Sequence, residues 1–173
     1  MDIRDQLLQE LSHFNMHYIA GYVNGDRDKF SEIMSILLTE KDPLPARAAW
    51  VAELVSSNHP EFFKPYIGRV IEKLPEFSHP GSRRNSLKIM TRMEIPDEFQ
   101  GPLIDICFEW MANAERTVAV KVFAMEIVKN HLELYPELAY ELKSVIEDQW
   151  DKNSAGFKAR GRKVLQQIEK YMD

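Results

Sequence analysis

The chain has 173 residues, a net charge of −5 and an isoelectric point near 5.6. Its length suffices to bury an ordinary core without metal ions or disulfides, and its acidic balance argues against a general nucleic-acid binder, for which a basic domain is expected. The single cysteine, Cys107, stands among apolar residues, so we expect a buried, unreactive thiol. The sequence shows neither a secretory signal nor an apolar run near the ~18 residues of a membrane span, which favours a cytoplasmic protein without membrane contact.

The first segment, from Ile3 to about Val23, predicts a single amphipathic helix that ends at Asn24-Gly25. Its predicted apolar stripe consists of Leu7, Leu8, Leu11, Phe14, Tyr18, Ile19 and Tyr22. Residues 1–25 lie outside the repeats described next, so we expect them to cap the repeats and to present a polar back to water. The residues expected to form that back are Asp5, Gln9, Glu10 and Asn15.

Residues 28–172 nearly repeat themselves with a period of about 36 residues. The recurring segments are Trp50-Val51-Ala52-Glu53-Leu54, Leu87-Lys88-Ile89-Met90 and Phe123-Ala124-Met125-Glu126-Ile127. Prolines at positions 60, 96 and 136 open successive units at a similar spacing. A period of this length is typical of stacked helix pairs, which share one continuous core because a single pair cannot bury its apolar side alone.

The apolar periodicity and the prolines predict where each helix pair lies. The four predicted pairs are 28–38 with 45–56, 60–74 with 82–93, 97–111 with 117–131, and 136–150 with 154–172. Every connection is short, as in compact helical domains. We therefore expect one all-α domain over residues 1–173, folded as a right-handed α-α superhelix, or solenoid, of about four helix pairs with an N-terminal capping helix.

Helix pairs in which a proline opens the first helix resemble HEAT and armadillo-like repeats, and this resemblance covers residues 28–172. Three segments further resemble a family of short bacterial HEAT-like proteins that has no established activity. They are Arg47-Ala48-Ala49-Trp50-Val51-Ala52-Glu53, Cys107-Phe108-Glu109-Trp110-Met111 and Ser154-Ala155-Gly156-Phe157-Lys158-Ala159-Arg160. Members often carry the label adenylosuccinate lyase, but that lyase family has a much longer chain and a serine-rich signature loop, and this sequence has neither. The resemblance implies a fold and no chemistry.

Metal binding and catalysis find little support in the residue pattern. His13 and His17 are four residues apart, with Glu10 one turn earlier, a spacing that could place three ligands on one helix face. No second pair of this kind occurs, and the sequence lacks a Gly-rich phosphate loop, a Gly-x-Ser-x-Gly elbow and a His-Glu-x-x-His motif. We expect no metal, no cofactor and no catalytic residue.

Basic residues are concentrated on the second helix of each pair, whereas the first helices and the cap are net acidic. Two interpretations remain open. The second helices could form a basic concave groove, or neighbouring layers could carry opposite charges because they pair with one another. The residues expected to contact a partner are Arg47, Arg83, Arg84, Lys88, Lys121, Arg160 and Arg162, with Trp50 as a possible aromatic anchor.

The leading hypothesis for function is a non-catalytic scaffold that recognises a protein partner along the second-helix face. The alternative is a nucleic-acid-binding or DNA-repair protein, because HEAT-like alkylpurine glycosylases use a comparable basic surface and residues 82–90 resemble their Arg-rich helices. The aromatic and carboxylate cluster of those glycosylases is not found in this sequence. A small-molecule enzyme, the third class, rests only on the lyase label.

Overall fold

A computed structural model describes residues 1–172. Within that range the chain is helical and contains no strand, which confirms the all-α prediction. It forms two compact units, the first over residues 1–96 and the second beginning at Asp97. The structure contains helices at the positions of all four predicted pairs, two pairs in each unit.

Unit 1 is built around a central helix, α4. The helices of this unit are α1 (Ile3–Gln9), α2 (His13–Val23), α3 (Arg27–Thr39), α4 (Leu44–Ser56), α5 (Pro60–Phe63), α6 (Ile67–Lys73) and α7 (Pro80–Met90). Helix α4 packs against α2, α3 and α7, and α3 also contacts α6. The two second helices, α4 and α7, therefore lie side by side, as do the two first helices. This is the layering that stacked helix pairs require.

The prediction of one capping helix over residues 1–25 is wrong, because two helices, α1 and α2, occupy this segment. The chain is extended at Glu10, and the hydroxyl of Ser12 caps α2 by accepting a hydrogen bond from the backbone N–H of Asn15 at 3.0 Å. The side-chain amide nitrogen of Asn15, Nδ2, donates to the backbone carbonyls of Gln6 and Glu10, at 2.9 and 3.0 Å. These bonds satisfy backbone groups that a continuous helix would have paired internally.

This interruption changes which side of α2 faces the core. The buried residues of α2 are Asn15, Met16, Ile19, Ala20 and Val23, whereas most of the predicted apolar stripe is exposed. The exposed members are Leu8, Leu11, Phe14, Tyr18 and Tyr22. Of the predicted polar back, Asp5, Gln9 and Glu10 are exposed, but Asn15 is buried. Along α2 the aromatic side chains of Phe14, Tyr18 and Tyr22 face water instead.

The first helix of the second pair is interrupted at Pro65. A 3₁₀ turn over Lys64–Tyr66 separates α5 from α6. Proline has no backbone N–H, so it cannot donate the bond that would continue the α-helix. The pair itself remains, because α6 still packs against α3.

Unit 2 has α9 at its centre. Its helices are α8 (Asp97–Ala112), α9 (Val118–Asn130), α10 (Leu138–Gln149) and α11 (Ala155–Ile168), and α9 packs against the other three. Gly161 lets α11 approach α10 closely, since a Cβ at that position would lie 2.9 Å from Cζ3 of Trp150 and 3.2 Å from Cγ2 of Ile146. Cys107 and Trp110 of α8 are buried, which is the environment predicted for the Cys107 thiol.

Candidate functional site

Helix α4 reaches solvent along a single narrow stripe. Its remaining residues are buried, while Arg47, Trp50 and Leu54 are partly exposed. Positions separated by three and four residues lie on one side of a helix. Two of the predicted contact residues, Arg47 and Trp50, therefore share the open stripe of the central helix.

Helix α7 places a second stripe beside the first. Gly81, Arg84 and Lys88 are its partly or fully exposed residues at three- and four-residue spacing, and Arg92 continues the line just beyond the helix. Arg83 is half-buried and lies one residue off this stripe. We call the two stripes together, formed by Arg47, Trp50, Leu54, Arg84 and Lys88, the second-helix face of unit 1.

Helix α7 begins at Pro80, two residues before the predicted start at residue 82. The N-cap is His79, whose Nδ1 accepts a hydrogen bond from the backbone N–H of Gly81 at 2.9 Å, and Ser82 is buried inside the helix. A Cβ on Gly81 would lie 2.9 Å from His79 Nδ1. Glycine at this position therefore leaves room for the imidazole cap.

A small cavity of about 110 Å³ opens where the two stripes meet, and we call it the Trp50 pocket. Its lining residues come from the cap, from the start of α4 and from the start of α7. They are Leu11, Pro43, Ala46, Arg47, Trp50, His79, Gly81, Arg84 and Asn85. The pocket thus brings together Arg47, Trp50 and Arg84, which sequence reasoning selected independently.

Sequence reasoning missed Asn85, which is 4% exposed and whose Nδ2 has no hydrogen-bond partner in the described part of the chain. It also gave no role in the site to His79 or Leu11. The available clue was that α7 has Ser82, Asn85 and Ser86 at positions where a core-facing helix normally has apolar side chains.

Arg47 also has a structural role. Its Nη1 donates to the backbone carbonyl of Leu7 at 2.5 Å, in the last turn of α1. Carbonyl groups in a last turn have no partner within the helix, and a cation there also interacts favourably with the helix dipole. Arg47 therefore joins the N-terminal cap to α4 while its side chain lines the pocket.

The charges of the second-helix face are partly neutralised by a buried carboxylate. Glu53 of α4 is 5% exposed, and its Oε1 lies 3.1 Å from Lys88 Nζ and 2.9 Å from Arg92 Nη1. The basic residue at position 88 is therefore explained by its ion pair with Glu53 on the neighbouring helix. Arg84, by contrast, is exposed and makes no ion pair or hydrogen bond to any residue in 1–172.

In unit 2, Lys121 is not a surface contact, contrary to its assignment from the sequence. It is 2% exposed, and its Nζ donates to Gln149 Oε1 at 3.0 Å and to Asn153 Oδ1 at 3.2 Å. Burial, together with the positive charge of Lys152, lowers the pKa of Lys121. The sequence indicated a basic position on α9 but not that α10 and the turn after it would cover the side chain.

The remaining two predicted contacts, Arg160 and Arg162, have partners within unit 2. Arg160 Nη1 lies 3.6 Å from Glu126 Oε2, and the guanidinium of Arg162 lies 5.4 Å from the ring centroid of Trp150. Glu126 also pairs with Lys129. Glu126 thus repeats the arrangement of Glu53, since both occupy the same repeat position and pair with a basic residue of the next second helix.

Unit 2 also has a larger depression, of about 550 Å³, whose charged groups already have partners within the unit. Glu133 accepts hydrogen bonds from Lys170 Nζ at 3.4 Å and from the hydroxyl of Tyr171 at 2.9 Å. These bonds lower the pKa of Glu133. Since these groups already bond to each other, the Trp50 pocket is the stronger candidate site.

The rings of His13 and His17 stack at 4.0 Å between centroids, and His13 lies 6.3 Å from the ring of Trp50. Glu10 precedes α2, and its Oε1 accepts a hydrogen bond from the Ser12 hydroxyl at 2.6 Å. Among residues 1–172, no group of three or more histidine, cysteine, aspartate and glutamate side chains could hold a metal ion. Nor does any helix in that range have the length and apolar character to cross a membrane.

Paired helices in two layers, with an open stripe on the second helices, define a helical repeat protein. The family model for the HEAT repeat domain matches residues 3–168, so the chain belongs to the HEAT repeat family. This confirms the predicted fold class, an α solenoid of helix pairs. HEAT repeats are generally scaffolds for protein interactions and are typically not enzymes. No curated protein and no solved structure matched the chain.

Proposed function

We propose that this protein is a non-catalytic scaffold that binds an acidic segment of a protein partner on the second-helix face of unit 1. The observation that carries the proposal is the convergence of Arg47, Trp50 and Arg84 around one pocket on the open stripes of α4 and α7. Interface energies concentrate in a few aromatic and arginine side chains that sit in or beside pockets. This combination of residues at the Trp50 pocket supports recognition of a protein segment.

The distribution of free and paired charge favours a protein segment over a nucleic-acid backbone. Nucleic-acid affinity grows with the number of phosphates that basic residues neutralise. On this face Lys88 is already paired with Glu53, and the exposed cation with no ion pair among the described residues is Arg84. One free arginine next to a tryptophan suits an acidic peptide with an apolar anchor better than a long polyanion.

The experiment is a selection of random peptides displayed on phage against the purified full chain. We expect the selected peptides to be acidic, and we expect Arg84→Glu to weaken their binding at least tenfold because it reverses the charge at the pocket rim. Arg69→Glu, on the first helix α6, is the matched control and should leave binding unchanged. Circular dichroism should show that both variants keep the wild-type helix content.

Two results would overturn the proposal. Selected peptides that bind the wild type and Arg84→Glu equally would place recognition elsewhere on the molecule. Saturable binding of short single- or double-stranded oligonucleotides, abolished by Arg84→Glu and steeply weakened by salt, would instead assign this face to a nucleic acid.

A further inference from the structure

The polar groups that line the Trp50 pocket are nearly all hydrogen-bond donors. Arg47, Arg84 and the Nδ2 of Asn85 are groups that can only donate, and no aspartate or glutamate lines the cavity. His79 adds a fourth donor: its Nδ1 accepts from Gly81, so the proton of the neutral ring is on Nε2. Such a lining is complementary to a group that only accepts hydrogen bonds.

Two individual donor atoms of this lining, one on Asn85 and one on Arg47, are buried and have no hydrogen-bond partner within residues 1–172. Asn85 is only 4% exposed, and neither its Nδ2 nor the Nε of Arg47 makes a hydrogen bond. Buried polar groups in folded proteins are nearly always satisfied, and an exception calls for an explanation. A bound acceptor that reaches the wall of the pocket would supply the missing hydrogen bonds.

The rest of the lining is apolar and the space is small. Leu11, Pro43 and Ala46 stand with the indole of Trp50 around about 110 Å³. A water molecule takes up about 30 Å³ in the liquid, so this cavity admits a group of only a few heavy atoms. A carboxylate on a short aliphatic stem meets both requirements, because the stem can contact the apolar wall and the oxygens can accept from the donors.

We propose that the Trp50 pocket binds the side-chain carboxylate of a glutamate or aspartate in the partner segment. The inference rests on the proposed function and gives it a chemical specificity. Arg84 lies at the exposed rim, where it attracts the acidic side chain, and Asn85 is the buried donor that recognises its oxygen. The aliphatic stem packs against Trp50.

The test is a titration of the ¹⁵N-labelled full chain, followed by NMR, with N-acetyl-glutamate N-methylamide. We expect saturable shifts of the Trp50 indole N–H and of the Asn85 side-chain amide. N-acetyl-glutamine N-methylamide has the same shape without the charge, and we expect it to bind at least tenfold more weakly. Equal binding of the two probes, or shifts confined to residues outside the pocket, would overturn the proposal.

Variants separate recognition from folding. Asn85→Leu should weaken binding of the glutamate probe at least tenfold and raise the thermal midpoint, because it removes a buried unsatisfied amide. Arg84→Gln should weaken binding and leave the midpoint unchanged, which provides a test even if Asn85→Leu does not fold. Arg69→Gln, on the exposed side of the first helix α6, is the control expected to bind like the wild type.

Titrations with two other anions test whether the pocket is specific for a side-chain carboxylate. Inorganic phosphate that shifts the same resonances as strongly as the glutamate probe would identify a general anion site and contradict the proposal. Preferential binding of a peptide with a free C-terminal carboxylate and no acidic side chain would contradict it too. If acidic peptides bind the second-helix face but Asn85→Leu and Arg84→Gln leave the glutamate probe unaffected, the scaffold proposal stands and only the pocket assignment fails.

Discussion

Glu53 and Lys88 connect the two second helices of unit 1, with 3.1 Å between the carboxylate Oε1 and the ammonium Nζ. The same oxygen lies 2.9 Å from Arg92 Nη1, so one buried carboxylate serves two cations. Glu53→Gln keeps the shape but removes the charge, leaving both cations without their anion. We expect it to lower the free energy of unfolding by about 1–3 kcal/mol, less than for a fully buried pair because Lys88 and Arg92 are partly hydrated. Urea denaturation followed by circular dichroism measures the change.

Glu94→Gln is the matched control for Glu53→Gln. Glu94 is exposed and has no ion pair among the described residues, so the same change there should alter the unfolding free energy by less than about 0.5 kcal/mol. Equal losses for the two variants would contradict a specific role for Glu53 between α4 and α7.

The buried ammonium of Lys121 should make stability rise with pH in the alkaline range. Its pKa is lowered, chiefly by burial and secondarily by Lys152, so the folded state releases this proton at a lower pH than the unfolded state does. Between the folded pKa and the unfolded value of about 10.4, the unfolded state binds more protons, and stability increases with pH. Lys121→Met should abolish this rise in stability with pH. Urea midpoints of wild type and variant, compared from pH 7 to pH 10, give the difference.

Removing a partner of the ammonium should have the opposite effect to removing the ammonium itself. Gln149→Leu leaves the charge of Lys121 buried with Asn153 as its remaining amide acceptor, and we expect a loss of about 1–3 kcal/mol at pH 7. Lys121→Met should be nearly neutral or stabilising at that pH, since replacing a buried charge with an apolar side chain often is. A pH dependence of the Lys121→Met variant identical to that of the wild type would refute the assignment.

The helix pairs could be predicted because apolar periodicity and proline positions are local properties of the chain. The break at residues 10–12 could not, since it depends on where the amide of Asn15 finds carbonyl acceptors in the folded segment. The same break reversed the expected orientation of Phe14 and Tyr18, because an interruption resets the phase of the following helix. Tertiary packing against α4 then determined which side of α2 is buried.

The sequence predicted part of the candidate site, as it predicted part of the fold. Arg47, Trp50 and Arg84 follow from the repeat position and the charge pattern, because second helices carry the open stripes. The sequence pattern places Lys121 on the surface, which is wrong, and gives Asn85 no role. The burial of each depends on a neighbouring helix rather than on its own sequence context. Whether a basic residue is free or paired likewise depends on the distance to Glu53 or Glu126, which spacing along the chain does not give.

Cys107 should be inert in the native protein. It is fully buried in α8, and burial raises the pKa of its thiol far above the usual range. The thiolate is the reactive form, so a thiol with a raised pKa and no access to solvent reacts slowly. We expect no labelling by a disulfide reagent in native buffer and complete labelling in strong guanidinium. Rapid labelling of the native protein would show that α8 opens locally in unit 2.

Two glycines of α11 should respond oppositely to alanine. At Gly161 a Cβ would lie 2.9 Å from Trp150 and 3.2 Å from Ile146, so Gly161→Ala forces the Trp150 ring, the Ile146 side chain or α11 itself to shift. We expect a loss of about 1–3 kcal/mol, which is typical of overpacking. At Gly156 the nearest atom to a new Cβ is 3.7 Å away, an ordinary contact, so Gly156→Ala should gain about 0.5–1 kcal/mol from the higher helix propensity of alanine.

Comparing the two glycine variants isolates the packing contribution. Both sit in the same helix and both substitutions add the same methyl group, so intrinsic propensity favours alanine at each position. Thermal unfolding of the two variants should therefore shift in opposite directions, and the difference reflects the closeness of α11 to Trp150. If Gly161→Ala also raised the midpoint, α10 and α11 would have room for the methyl group, and the close contact at Trp150 would not constrain this pair of helices.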